Sequence, residues 1–249
     1  KSGGTVVKNV TGYDLSKLVT GSFGTLVALT EITLKVLPKK KSSNTITIHT
    51  DDKKLVKSLF EKISSSSSEV SGAIYMPEEP KDESYDQNKE MVFKFNDLKY
   101  KGSFLALRIE GDKISIDEKL KALTIELELS KLNTTVLDVH QSTPFWKKIN
   151  NLEIFKLTKN NLLRVVVPPS KGPKLMQFLG NKYKYYIDWC GSLYWIEVQS
   201  KKSSKVSDIK KLTKELGGYL TIIKTSDEYD YEETIFTVDD TRLLISEKI

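Results

Sequence analysis

Short stretches of the chain alternate between hydrophobic and polar residues, and each such stretch predicts a β-strand. The first clear case is residues 30–37, where Ile32, Leu34 and Val36 fall on one side. Pro38 ends this predicted strand because proline cannot donate a hydrogen bond to a neighbouring strand. A shorter apolar stretch, residues 6–10, predicts another strand near the start.

Residues 44–139 predict the element order β-α-β-β-β-α-β. The first helix should begin at Asp51 or Asp52, and the second at a capping box formed by Ser115 and Glu118. Two of the strands, at 91–95 and 103–109, are predicted to form a hairpin. The predicted strands are residues 45–49, 69–76, 91–95, 103–109 and 135–139.

Residues 162–224 predict the order β-α-β-β-α-β, which is the split β-α-β or ferredoxin-like motif. The helices are residues 170–179 and 206–216, the second ended by Gly217 and Gly218. The predicted strands are residues 162–167, 183–188, 193–198 and 219–224. The first series is the same motif with one extra strand. The sequence therefore predicts an α+β fold of two ferredoxin-like units, with an antiparallel sheet and helices on one face.

Composition narrows the chemistry. The 249 residues carry a formal charge of +6, and the only dense basic run, Lys39–Lys41, follows a proline. This run is interpreted as a solvated linker rather than a nucleic-acid contact. One cysteine, Cys190, and two histidines exclude an internal disulfide, a cysteine-based zinc site and a histidine-rich metal cluster. We expect no metal, no nucleic acid and no direct membrane span.

Arg164 is the most conspicuous candidate for chemistry. It lies in an otherwise apolar predicted strand, where an unpaired guanidinium would be costly to bury. A structural ion pair and a clamp for a substrate carboxylate both remain open. Trp189 and Trp195 lie in a stretch with many tyrosines, where core packing is the default and a flat wall against a cofactor or substrate is the alternative.

A Gly/Ser/Thr-rich loop precedes the first predicted strand. Glycines at Gly12, Gly21 and Gly24 allow unusual dihedrals and close backbone approach. Successive N–H groups near Ser22 and Thr25 could hold a polar ligand at short range. Such spacing is common in turns, so the loop alone is a weak signal.

Several segments together resemble a known family. Asn9-Val-Thr-Gly-Tyr-Asp-Leu15, Gly21-Ser-Phe-Gly-Thr-Leu26 and Thr30-Glu-Ile-Thr-Leu-Lys-Val-Leu-Pro38 are similar to the second half of the flavin-binding domain of vanillyl-alcohol-oxidase-type (p-cresol methylhydroxylase-type) flavoproteins. The resemblance is greatest to the FAD-binding subunits of bacterial glycolate oxidases. Later segments, including Leu163-Arg-Val-Val-Val-Pro168 and Ile187-Asp-Trp-Cys-Gly191, follow in that family's order.

The resemblance implies FAD as cofactor and a division into three parts. Residues 1–41 would be the end of the FAD domain, 42–225 a cap domain with halves at about 44–139 and 162–224, and 226–249 a return segment. The residues implied to lie along FAD are Gly21, Ser22, Gly24, Thr25, Leu26, Val27, Ala28 and Leu29.

The chain departs from the family at several points. Phe23 and Val27 stand where the family usually has Glu and Gly, and such side chains would crowd a flavin. The family's pyrophosphate loop and its carboxyl-terminal Asn-Pro-Gly segment do not occur in this sequence. We therefore expect a fragment that lacks the first half of the FAD domain and the tail, and that binds FAD weakly or not at all.

The function implied by the resemblance is the oxidation of a small 2-hydroxy acid by an FAD-dependent subunit. Arg164 would bind the carboxylate, with Trp189 and Trp195 as cavity wall; no catalytic base is evident, and His140 is a weak candidate. Implied partners are a second flavoprotein subunit and an iron–sulfur subunit. The expected location is cytoplasmic, with any membrane association through those partners. The alternative is a non-catalytic scaffold subunit of such a complex.

Overall fold

The computed structural model describes residues 14–22, 24–78, 80, 93–95, 98–100, 102–156, 158–199 and 203–226. The chain divides into two compact units, residues 1–39 and 40–249. The boundaries predicted near residues 41 and 225 remain predictions. None of the helices in the described ranges is long and apolar enough to cross a membrane.

The first unit has one short helix, α1, Leu15–Val19, whose first turn is capped by the Asp14 side chain. The strand predicted at residues 30–37 is wrong, because this segment has no regular secondary structure. An alternating pattern forms a strand only when a neighbour accepts and donates its hydrogen bonds. This segment is not part of either described sheet. The strand predicted at residues 6–10 falls outside the described residues.

The second unit contains ten strands and five helices among its described residues. The strands are β1 Ser42–His49, β2 Gly72–Met76, β3 Phe93–Phe95, β4 Leu98–Tyr100, β5 Phe104–Gly111, β6 Thr134–Leu137, β7 Asn161–Val166, β8 Lys184–Asp188, β9 Leu193–Val198 and β10 Tyr219–Lys224. The helices are α2 Lys53–Ser65, α3 Lys113–Glu126, α4 Val139–Asn150, α5 Gly172–Leu179 and α6 Ser203–Glu215.

Eight of these strands form one antiparallel sheet in the order β10-β7-β9-β8-β2-β5-β1-β6. The four strands on either side of the β8–β2 junction each have the ferredoxin-like arrangement. The two halves join edge to edge where Tyr75 of β2 pairs with Ile187 of β8. This architecture confirms the predicted fold class.

Most elements agree with the sequence patterns, and two details need correction. The predicted hairpin of residues 91–95 with 103–109 is wrong: β3 pairs with β4, and β5 lies between β1 and β2. Residues 98–100 provide a partner nearer along the chain. Asp52 caps α2 as predicted, but Asp112 caps α3 by accepting a hydrogen bond from the Ser115 N–H. Ser115 is therefore not the capping residue.

One face of the sheet, here called the helix face, is covered by α2, α3, α5 and α6. Their apolar stripes pack on the inward residues of seven strands and form one continuous core that spans both halves. The core includes Leu59, Leu107, Leu163, Leu175 and Ile209, each at most 2% exposed. Burial of this apolar area is the main source of stability of the unit.

The opposite face, here called the second face, carries α4, which the sequence patterns did not predict. Asp138 and Gln141 form a capping box at its start. Phe145, Trp146 and Ile149 pack on a second core against the strands. The apolar spacing of this segment did not predict a helix because Pro144 lies within it, and proline normally ends or kinks a helix. The capping box was the available signal.

A buried polar network fixes α4 to β1. The Trp146 indole donates to the Thr45 hydroxyl at 2.8 Å, and that hydroxyl lies 2.8 Å from the Ser142 hydroxyl. Gly72 leaves room for the indole, since a Cβ there would lie 2.9 Å from Trp146. The indole is therefore held by shape and by a hydrogen bond together.

Replacing Trp146 by phenylalanine should lower the free energy of unfolding by about 2 kcal/mol, through a lost buried hydrogen bond and lost packing. The measurement is urea unfolding followed by far-ultraviolet circular dichroism. The matched control is Trp189→Phe: because Trp189 is 55% exposed, its replacement should change stability by no more than about 0.5 kcal/mol. Equal effects at the two sites would contradict the role of the network.

Candidate functional site

The second face brings together the three residues that the sequence singled out for substrate binding. Arg164 on β7 pairs with Trp195 on β9 in the sheet register. The Arg164 guanidinium carbon lies 5.2 Å from the centroid of the Trp189 ring. Trp189 is 55% exposed, whereas Arg164 and Trp195 are partly buried. The three side chains form a cluster, here called the Arg164 cluster.

The Arg164 guanidinium remains available within this cluster. No described carboxylate lies within ion-pair distance of Arg164. Stacking on an indole uses the face of the guanidinium and leaves its N–H edges free to bind a carboxylate in bidentate fashion. Arg164 therefore forms no ion pair with a described carboxylate, and the carboxylate clamp stays a prediction.

A tight turn, Trp189–Gly191, positions the indole. Trp189 and Cys190 both have φ of +50°, a left-handed conformation that is uncommon for residues other than glycine. Asp188 stabilises the turn, because its Oδ1 atom accepts a hydrogen bond from the Trp189 N–H at 2.7 Å. Asp188 was not among the residues that the sequence pattern singled out. The signal available was an acidic residue at the end of a predicted strand, directly before Trp189.

Asp188 is itself electrostatically unusual. Burial raises the pKa of its carboxyl above the ordinary value, although the Trp189 N–H and the Arg108 guanidinium oppose this. Arg108 is fixed in place by hydrogen bonds to Ser71, by an ion pair with Glu110 and by stacking over Trp146. On the second face, Arg108 is therefore hydrogen-bonded and ion-paired to described residues. Arg164 contacts Trp189 but forms no ion pair with a described carboxylate.

The raised pKa of Asp188 predicts a pH dependence. Below the ordinary carboxyl pKa, the Asp188 carboxyl is protonated in both the folded and the unfolded state. Its contribution to the free energy of unfolding is then fully present. As the pH rises through the folded-state pKa, that contribution is lost, because the folded state releases its proton later than the unfolded state. Asp188→Asn should remove this part of the pH dependence, since asparagine does not titrate and can still accept the Trp189 hydrogen bond.

The check is urea unfolding of the wild type and of Asp188→Asn between about pH 3 and pH 8. The difference in stability should move in favour of the variant as the pH rises. Asp112→Asn is the control, because that carboxyl caps α3 from an exposed position. A difference that stays constant across the pH range would contradict the assignment.

The predicted cofactor residues lie in the first unit, directly after α1. Gly21 and Gly24 have φ of +82° and +79°, so both positions favour glycine. Thr25 closes the turn through hydrogen bonds from its N–H and hydroxyl to the Ser22 carbonyl. The side chains that follow are exposed within the described structure: Leu26, Val27, Ala28 and Leu29. This arrangement leaves an open backbone surface at residues 24–29, with space around both glycines.

The remaining candidates have structural roles or fall outside the description. His140 is an exposed residue in the first turn of α4. The tyrosines near Cys190 are core residues, as the default interpretation held: Tyr183, Tyr185, Tyr186 and Tyr194 are all buried. Gly12 and Phe23 lie outside the described residues.

The chain is similar to subunits of bacterial glycolate oxidases. No family model matches it. It is 27% identical to the glycolate oxidase subunit GlcE of Escherichia coli (strain K12), over 227 residues that cover 90% of this chain and 51% of that subunit. It is 44% identical to the glycolate oxidase subunit GlcD of Bacillus subtilis (strain 168), over 46 residues that cover 18% of this chain and 10% of that subunit.

Among solved structures, p-cresol methylhydroxylase with bound substrate matches with a TM-score of 0.50 and 10% identity, covering 77% of this chain and 47% of that one. That likeness concerns the fold alone. The chain spans about half the length of GlcE. The chain is similar to the glycolate oxidase subunit GlcE and shares part of the fold of p-cresol methylhydroxylase, which confirms the resemblance seen in the sequence.

Proposed function

We propose that this chain is part of an FAD-dependent oxidoreductase subunit that oxidises a small 2-hydroxy acid, such as glycolate, to the corresponding 2-oxo acid. The observation that carries the proposal is the Arg164 cluster, in which an available guanidinium is held against an exposed indole. Homology to GlcE over 90% of the chain supports the same reaction class.

Arg164 would bind the substrate carboxylate. A guanidinium suits this role because its planar set of N–H donors matches the two oxygens of a carboxylate. Trp189 restricts the orientation of the guanidinium, and the Asp188 hydrogen bond holds Trp189 in its turn. Trp195, the register partner of Arg164, would form part of the wall beside the substrate. These residues orient the substrate; they do not supply the redox group.

FAD would bind along the open backbone surface at residues 24–29. Gly21 and Gly24 have positive φ, carry no Cβ and have open space around them. The backbone at this loop can therefore approach a planar or phosphorylated ligand at short range. Bound FAD supplies the acceptor for the hydride that leaves the hydroxyl-bearing carbon. The proposed partners are a second flavoprotein subunit, related to GlcD, and an iron–sulfur subunit.

A non-catalytic scaffold subunit is the second candidate. The observation that favours it is Val27, whose side chain is 43% exposed on the same loop. A branched side chain at that position would hinder the close approach of a flavin. In this case the unit of two ferredoxin-like halves would support partner subunits without binding FAD.

Titration of FAD, followed by quenching of flavin fluorescence, separates the two candidates. It should be carried out on the 249-residue chain and on the complete gene product. Saturable binding to the complete product supports the enzyme, and binding to neither supports the scaffold. Gly24→Ala should weaken binding about tenfold through strain at a positive φ. Gly102→Ala is the matched control, because Gly102 has φ of +85° and open space but lies in the second unit.

A further inference from the structure

A cavity of about 330 Å³ lies on the helix face, at the junction of the two halves. Its walls come from α2 of the first half and α5 of the second, including Val56, Phe60 and Met176. Ile187 and Tyr194 of the sheet also line it. This volume falls within the range typical of small-molecule sites.

The cavity is about half open to solvent, and it is larger than the packing defects of protein interiors. Protein interiors are close-packed, with few voids larger than a water molecule. The side chains around an empty apolar space lose dispersion contacts that an occupant would restore. Because a cavity of about 150 Å³ lined by apolar side chains can hold benzene, this one has room for an aromatic ring or a short alkyl chain.

Two hydroxyl groups of the lining already donate hydrogen bonds to backbone carbonyls. The Tyr194 hydroxyl donates to the Gly172 carbonyl at 2.8 Å, and the Ser64 hydroxyl donates to the Phe60 carbonyl at 2.8 Å. At the rim, Lys57 forms an exposed ion pair with Glu61 at 3.4 Å. A charged occupant would lose its hydration without gaining a strong partner in the depth of the cavity, which is unfavourable.

We infer that this cavity is a binding site for a small, neutral, apolar molecule. The site is distinct from the Arg164 cluster, because strand alternation directs Ile187 to the helix face and Asp188 to the second face. The inference therefore does not depend on the proposed oxidase function.

Cys190 provides a specific chemical reporter. It lines the cavity, and it is the only cysteine in the sequence. Burial raises the pKa of its thiol, so alkylation by iodoacetamide should be slow and sensitive to an occupant. At a toluene concentration about ten times its Kd, only about a tenth of the protein is empty, so alkylation should slow about tenfold. Benzoate, of similar shape but charged, should give no saturable protection.

Two variants on α2 locate the effect. Ser64→Leu places an apolar side chain in the cavity and should abolish protection by toluene. Ser65→Leu, at the next position and outside the cavity lining, should leave protection unchanged. For each variant, the rate of Cys190 alkylation is measured with and without toluene. A change in that rate caused by the substitution itself therefore does not affect the comparison. Protection that survives Ser64→Leu would place toluene elsewhere and overturn the inference.

A measurement without substitution covers the case in which Ser64→Leu does not fold. Met176 lines the cavity, and the chain has three methionines, so a methyl-labelled sample gives a simple spectrum. Toluene should shift the Met176 methyl resonance in a saturable way, with the Kd found from alkylation. Absence of both the shift and the protection would overturn the inference.

Discussion

Replacing Gly218 by alanine is expected to destabilise the second unit by about 3 kcal/mol or more, the upper range for overpacking a well-packed site. A Cβ at this position would lie 2.3 Å from the Val166 carbonyl oxygen and 2.7 Å from Val167. Because the carbonyl belongs to β7, the neighbour of β10, the clash can be relieved only by moving a strand. Urea unfolding of wild type and variant provides the measurement.

Gly217→Ala is the matched control for this prediction. Gly217 ends α6 with φ of +72°, and a Cβ there meets nothing within 4 Å. Its replacement should therefore cause only the strain of a left-handed alanine, about 1 kcal/mol. If the two variants were equally stable, the close approach of Gly218 to β7 would not be a determinant of the fold.

Substitution of Arg164 is expected to have the largest effect on activity. If its guanidinium binds the carboxylate, Arg164→Ala removes charge-assisted hydrogen bonds, and kcat/KM for the 2-hydroxy acid should fall about 100-fold or more. Arg164→Lys should restore only part of this loss, since lysine keeps the charge but not the bidentate geometry. The assay is substrate-dependent dye reduction by the complete gene product, assembled with the proposed partner subunits.

A substrate without a carboxylate distinguishes a role of Arg164 in binding the substrate from a role in maintaining the structure. For a simple alcohol of the same length, wild type and Arg164→Ala should give the same low kcat/KM. The alcohol has no carboxylate, so Arg164 has nothing to bind in either assay. An equal loss with acid and alcohol would mean that Arg164 has a structural role. Unchanged kinetics with the acid would exclude the carboxylate clamp.

The second ferredoxin-like half was predictable almost residue by residue, whereas other parts were not. Strands 193–198 and 219–224 were predicted with their observed bounds, because each is an apolar run ended by turn residues. Helix α4 was not predicted, because it contains Pro144 and has a polar first turn, and both features obscure its apolar stripe. The segment 30–37 shows the opposite error: alternation describes how a strand would be buried, but a strand also needs a neighbour.

The candidate site was predictable by residue type but not by arrangement. Arg164 was conspicuous because a charge interrupts an apolar strand, and the structure places it against Trp189. The contribution of Asp188 was not predictable, because it depends on a left-handed turn that contains no glycine at its first two positions. The difference between Arg108, which is ion-paired with Glu110, and Arg164, which forms no ion pair with a described carboxylate, also depends on the tertiary structure. Whether the residues around Gly24 bind FAD remains a prediction.

The junction of the two halves has a consequence for how the domain assembles. Inside each half, neighbouring strands pair over several residues, whereas β2 and β8 share the single registered pair Tyr75 and Ile187. Side chains of the common core, rather than backbone hydrogen bonds, therefore hold the halves together. Such a junction resembles a subunit interface that has been enclosed within one polypeptide. Each half can complete its own strand pairing before docking, and a chain cleaved between β6 and β7 would retain the information needed to reassemble.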